Sequence, residues 1–219
     1  MKLLPDLFLS NEEWAKRSVA QDPEFFSRLV HQQAPHFFWI GCSDSRVPST
    51  QITGLDPGEI FVHRNIANLV VHQDINSQSA LQYATERLGV HHLIICGHYG
   101  CGGILAAMDN IDATLTGPIA GWLRPVHEFF ERNRAELDRI PDQEAKWDRL
   151  CELNVIEQVR LACELPLVTA AWERGDPLAV HGWIYSVRDG RLRDLNVTVS
   201  PALGNTKTVQ AAPTSVGTA

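Results

Sequence analysis

Two short segments hold the residues whose side chains can do chemistry together. The first is Gly41-Cys42-Ser43-Asp44-Ser45-Arg46, and the second is Gly97-His98-Tyr99-Gly100-Cys101-Gly102-Gly103. Two thiolates and an imidazole suit zinc in softness and geometry, so Cys42, His98 and Cys101 are the candidate ligands of one Zn2+ per chain. Three protein ligands leave a fourth tetrahedral position for water or for the carboxylate of Asp44. Water held there ionises near neutral pH and can attack an electrophilic carbon, whereas a bound carboxylate blocks that chemistry. Two thiolates formally cancel the charge of the ion, so such water should acidify less readily than in an all-imidazole site. Activity weighted toward alkaline pH is the expectation. Arg46 can hold Asp44 in a two-pronged ion pair and keep it off the metal. Backbone N–H groups at the glycine turn make a small anion site, with Gly102 placed to donate one.

These residues can meet only if the chain brings two distant segments to one place. Phe37-Phe38-Trp39-Ile40 reads as a short buried strand that runs into Cys42, and His92-Leu93-Ile94-Ile95-Cys96 as another that runs into His98. A strand at Glu59 to His63 lies between them. In a parallel sheet both loops emerge at the carboxyl end, where α/β proteins place their sites. Ser77 is expected to cap a helix through Leu88 that stops at Gly89, and a helix is expected to start near Ile104. Residues 119–165 read as mainly helical, broken near Pro141. Leu178 to Val187 and Leu192 to Val199 form a hairpin around Asp189-Gly190. The N-terminal part is helical, with a capping box at Ser10 and Glu13 and an N-cap at Asp22 before Pro23. The fold class that follows is α/β, with a mostly parallel central sheet, one antiparallel edge strand, flanking helices and an N-terminal helical arm. One domain is expected over 1–200, with the arm at 1–34 and a loosely held C-terminal tail at 201–219.

Composition narrows the function classes. The 219 residues are ample for one core, and 44% hydrophobic with 21% charged is ordinary for a globular protein. A net charge of -7, with no concentrated basic stripe, gives no footprint for nucleic acid. No apolar run approaches a membrane span, and the interrupted start at Met1 to Asp6 is no signal peptide, so a cytoplasmic location is expected. Five cysteines in a reducing compartment favour metal ligation or burial over disulfides. Cys96, Cys151 and Cys163, set among apolar residues, read as small buried hydrophobes.

Cys42-Ser43-Asp44-Ser45-Arg46 and His98-Tyr99-Gly100-Cys101-Gly102-Gly103 resemble the two signatures of the β-class carbonic anhydrases, and Gly58 to Asn65 is similar to a third stretch. The likeness runs to about Val199 and reads as strongest to the bacterial enzymes. It implies reversible hydration of carbon dioxide to bicarbonate and a proton by zinc-bound hydroxide. It implies zinc on Cys42, His98 and Cys101, with Asp44 as fourth ligand of an inactive form or as partner of Arg46. It further implies that Gln33, Tyr83 and the Gly102 amide line the substrate pocket. A homodimer or homotetramer, with the N-terminal helices embracing the partner subunit, is implied as well. One subtype of the family is inhibited by bicarbonate at a second site built from a tryptophan, an arginine and a tyrosine. Trp39, Arg64 and Tyr185 match those positions. The bacterial members usually end in a charged helix, whereas this chain ends in a polar tail.

Two other functions use the same residues. A hydrolase of carbon disulfide or carbonyl sulfide would share the site and differ only in substrate. A non-catalytic bicarbonate sensor would need Asp44 to stay on zinc, and the Asp44–Arg46 pair argues against that by offering the carboxylate another partner. Without the family, Trp39 reads as core packing and Gln33 and Tyr83 as ordinary helix residues.

Overall fold

The computed structural model describes residues 3–31, 33–109 and 115–201. Five strands form one sheet in the order β2-β1-β3-β4-β5. They are β1 (Phe37–Cys42), β2 (Ile60–Asn65), β3 (His92–His98), β4 (Ala179–Ser186) and β5 (Arg191–Asp194). The first four run parallel and β5 returns antiparallel along β4, as the sequence indicated.

Runs such as Phe37 to Cys42 and His92 to His98 form central strands because both of their faces are covered. One face presents Phe38, Ile40, Leu93, Ile95, Val180 and Ile184 to a broad apolar core. The other presents Trp39, Ile94, Cys96 and Tyr185 to a smaller cluster with Val47 and Ile60. The alternation within each strand follows the two-residue period of the pleat.

Helices α1 (Leu4–Gln21) and α2 (Phe25–His31) precede the sheet. A short α3 (Ser49–Thr53) follows β1, and α4 (Ile75–Gln82) continues into a π-helical turn at Tyr83–Arg87. Next come α5 (Gly102–Met108), α6 (Pro118–Leu137), α7 (Gln143–Cys163) and α8 (Pro166–Glu173). Helix α7 packs across β3 and β4 and supplies Leu150, Val155 and Val159 to the larger core.

Several sequence expectations change here. Helix α1 starts at Leu4 and passes through Ser10, so no capping box forms at Ser10 and Glu13. Pro5 opens the helix, and the Asp6 carboxylate accepts from the Leu3 N–H at 2.7 Å. Asp74, not Ser77, caps α4, accepting from the N–H groups of Asn76 and Ser77. The returning strand stops at Asp194 rather than running to Val199. The Asp194 side chain accepts from the Asn196 N–H at 2.8 Å, and Asn196 takes a positive φ of 57°, which kinks the chain. Val199 then bridges Val180 alone. Apart from Pro201, the expected C-terminal tail lies outside the described residues.

Candidate metal centre

The order 2-1-3-4 reverses direction between β1 and β3, which opens a crevice at their carboxyl ends. Both signature segments leave the sheet at that crevice. Cys42 is the last residue of β1, His98 the last of β3, and Cys101 caps α5 three residues later. The Sγ atoms of Cys42 and Cys101 are 3.8 Å apart. With the His98 nitrogen, all three ligand atoms lie within 4.8 Å of one another, and all three residues are buried.

This arrangement fits a tetrahedral ion. Zn–S bonds of about 2.3 Å at a tetrahedral angle set two sulfurs roughly 3.8 Å apart. His98 is fully buried. Its Nδ1 lies 3.1 Å from the Tyr99 carbonyl and its Nε2 has no hydrogen-bond partner. With the proton on Nδ1 donated to that carbonyl, the Nε2 lone pair points at the two sulfurs. Such an anchored imidazole is the usual form of a ligating histidine. An orphaned buried nitrogen would otherwise be costly.

The close Sγ–Sγ contact holds the Cys42 thiol below the usual thiol range against the effect of burial, while Cys101 is driven upward by the same contact and by its own burial. Backbone N–H groups of Asp44 and Ala67 also favour the Cys42 thiolate. A metal ion would take both sulfurs as thiolates.

Asp44 sits at the edge of this cluster. Its Oδ2 is 3.6 Å from His98 Nε2, yet both carboxylate oxygens are engaged by Arg46. The Arg46 side chain, and then its backbone N–H, hold the carboxyl far below the usual carboxylate range despite partial burial. Arg46 Nη2 also donates to the Gly100 carbonyl at 3.3 Å, so one guanidinium ties the two signature segments together. Gly102 opens α5 on the exposed side of the same turn.

A sequence model of the carbonic anhydrase family matches residues 37–192, which holds all of these residues. The chain belongs to the carbonic anhydrases, in their β class. It is 44% identical to a carbonic anhydrase of Emericella nidulans, over 87% of this chain and 82% of that one. It is 34% identical to one of Pseudomonas aeruginosa, over 79% of each. The fungal likeness thus exceeds this bacterial one, contrary to the sequence expectation. A β-carbonic anhydrase of Coccomyxa in complex with acetazolamide superimposes with a TM-score of 0.87 at 37% identity, covering 91% of this chain and 89% of that one. One of two β-carbonic anhydrases of Sordaria macrospora described as tetrameric superimposes with a TM-score of 0.84 at 39% identity, covering 88% and 96%. The activity of this family is that of a lyase acting on carbon dioxide and bicarbonate.

The remaining sequence candidates fall in two groups. Arg64 reaches the loop that carries Asp44, donating to the carbonyls of Cys42 at 2.9 Å and Asp44 at 2.5 Å. Trp39 and Tyr185 are buried in the smaller apolar cluster. Gln33 is exposed between α2 and β1, and Tyr83 is 47% exposed with its ring near Phe61. Among the described residues, no hydrogen bond or ring contact ties Gln33 or Tyr83 to the metal centre.

Sequence reasoning missed the supports. Ala67 and Asn68 both take positive φ, at about 1 kcal/mol or more each, in the turn that aims the Ala67 N–H at Cys42. Asn154 on α7 donates to the Ala67 carbonyl at 3.0 Å and holds that turn. Trp147 Nε1 donates to the Cys101 carbonyl at 2.9 Å. Gly97 and Gly103 are required by close approach: a Cβ at Gly97 would lie 2.6 Å from Val155, and one at Gly103 2.8 Å from Ile66. No local pattern in the sequence marks Asn154 or Trp147, because each meets the site only through tertiary packing.

Proposed function

We propose that this protein hydrates carbon dioxide reversibly to bicarbonate and a proton, with Cys42, His98 and Cys101 holding Zn2+. The observation that carries the reading is the buried, orphaned His98 Nε2 facing two sulfurs at tetrahedral spacing. Zinc in such a site supplies a nucleophile by lowering the pKa of water in its open position. The chain's own residues do the rest. Asp44, kept ionised by Arg46, accepts a hydrogen bond at the edge of the centre and stays off the metal. The Gly102 amide, at the start of α5, is proposed to bind the anionic product. The test is hydration by the zinc-loaded protein, with Cys101→Ser expected to abolish both zinc binding and turnover. Turnover that persists without metal would refute the assignment.

The gate reading has its own support. Arg64 grips the carbonyls on either side of Ser43, so an anion that engages its guanidinium would release the loop carrying Asp44. In this proposal bicarbonate near Trp39, Arg64 and Tyr185 loosens the Asp44–Arg46 pair and places Asp44 in the fourth position, giving an inactive form. Inhibition by bicarbonate should then be steeper than hyperbolic and lost in Arg64→Ala. Hyperbolic inhibition that survives Trp39→Phe unchanged would sink it.

The protein is proposed to act as a homodimer or homotetramer. Helix α1 buries none of its residues, and Leu4, Phe8 and Leu9 are at least 60% exposed. A helix with that much uncovered apolar surface is completed by a second copy. Gln33 and Tyr83 are proposed as pocket residues, and their exposure in a single chain fits a pocket closed across that interface. No helix among the described residues is long and apolar enough to cross a membrane. Action in the cytoplasm, without nucleic acid, is part of the proposal.

A further inference from the structure

The amino end of the sheet, opposite the gate, carries a second group of histidines. His92 opens β3, and His181 lies on the neighbouring strand β4, where Ile94 is its register partner. Both side chains project from the same face. His92 Nδ1 and His181 Nε2 are hydrogen-bonded at 3.1 Å, through a proton that a bound ion would replace, and the ring centroids are 5.3 Å apart. We propose that His92 and His181 form a second site for a divalent transition-metal ion, separate from the cysteine-bearing centre.

Three observations support it. Two imidazole nitrogens bound to one ion at about 2.0–2.1 Å, with angles between right and tetrahedral, lie roughly 2.9–3.4 Å apart. The observed separation falls within that range. His181 is also oriented as a ligand: its Nδ1 lies 3.0 Å from the Thr198 hydroxyl, which can accept its proton and leave the Nε2 lone pair facing His92. Finally, the pair is reachable from the His92 side, His181 being partly buried behind it. His92 is exposed, and a groove of about 460 Å³ lined by His36, His91 and His92 opens onto it.

The surroundings favour neutral imidazoles, which are the ligating form. Burial lowers the pKa of both His92 and His181, helped for His92 by the charges of His91 and His36 and for His181 by that of His92. Asp194 opposes the shift at His181. With only two protein ligands, water would complete the coordination. Imidazole donors select copper, nickel or zinc over magnesium or calcium, and copper binds most tightly in that order. An ion here would bridge β3 and β4 at the end of the sheet remote from catalysis.

The experiment adds one equivalent of Cu2+ to protein holding a single zinc per chain and records its electron paramagnetic resonance spectrum together with any zinc released. Expected is a spectrum with couplings from two imidazole nitrogens and full retention of zinc. The affinity should fall at least about tenfold in His92→Gln and in His181→Gln. A wild-type spectrum without nitrogen couplings would overturn the proposal whatever the variants do. So would unchanged affinity in either variant, or copper uptake matched by zinc release.

Discussion

Asp44 and Arg46, two residues apart, face each other through a two-pronged ion pair, Oδ1 to Nε at 2.9 Å and Oδ2 to Nη2 at 2.7 Å. The pair forms beside His98 Nε2, so the same carboxylate that could enter the metal centre is restrained next to it. Because Nη2 also reaches the Gly100 carbonyl, the restraint is shared with the loop that carries Cys101. A guanidinium can hold both oxygens in fixed geometry, whereas an ammonium offers a point charge.

Arg46→Ala should therefore free Asp44 to compete for the open position. Hydration is expected to fall at least about tenfold while zinc content stays at the wild-type level. Arg46→Lys should recover only part of the loss. Stopped-flow rates paired with metal analysis check both statements. A variant that loses its zinc instead would show that Arg46 holds the ligands rather than the gate.

The proposed zinc should stabilise the fold as well as serve the reaction, since Cys42, His98 and Cys101 come from two segments that are far apart in sequence. A metal that binds only the native state at a free concentration 100 times its dissociation constant adds about 2.7 kcal/mol. Chelation should lower the thermal midpoint of the wild type and leave that of Cys42→Ser unchanged. Scanning calorimetry with and without chelator reads this directly.

Gly97→Ala tests the packing that aims His98. The added methyl would meet Val155 Cγ2 at 2.6 Å, with Ile184 at 3.3 Å on the other side. Overpacking of this kind costs about 1–3 kcal/mol. The shift falls on the residue before His98, a proposed ligand, so weaker zinc retention should accompany the lower denaturant midpoint. The paired variant Gly97→Ala/Val155→Ala should recover much of the stability.

Stability should also fall on mild acidification. Burial holds His63, His92 and His181 below the ordinary value of 6.5 in the folded chain. Between the folded and unfolded values the unfolded chain binds more protons, so stability rises with pH across that window and is lost as pH drops through it. Urea midpoints at about pH 7 and about pH 5 should differ less in His63→Gln than in wild type. An equal difference in both would contradict the assignment for His63.

For the N-terminal arm, the prediction concerns assembly. Phe8 is 74% exposed on a helix with no buried residue. Phe8→Glu or Leu4→Glu should shift the protein to a smaller species in sedimentation velocity without loss of bound zinc.

How much of this was legible in the sequence follows from where each feature is encoded. Buried parallel strands write themselves as unbroken apolar runs, so β1 and β3 were readable, and with them the convergence of Cys42, His98 and Cys101. The ion pair was readable because its partners are two residues apart. Helix boundaries were not. Ser10 and Glu13 match a capping pattern, but the segment from Pro5 onward is already helical, and propensity over many residues outweighs one cap. Val199 remained beside β4, but only as a single bridge, because one positive-φ residue, Asn196, broke the strand first. The supports of the site, Asn154 and Trp147, were hidden because each acts across more than forty residues through a contact that only the assembled fold creates.

The central claim is tested most directly by stopped-flow hydration of carbon dioxide with the zinc-loaded protein, from about pH 7 to pH 9, bracketing the ionisation of zinc-bound water. The account predicts turnover that rises with pH across this range and disappears in Cys42→Ser. No turnover at any pH, with one zinc bound per chain, would contradict it.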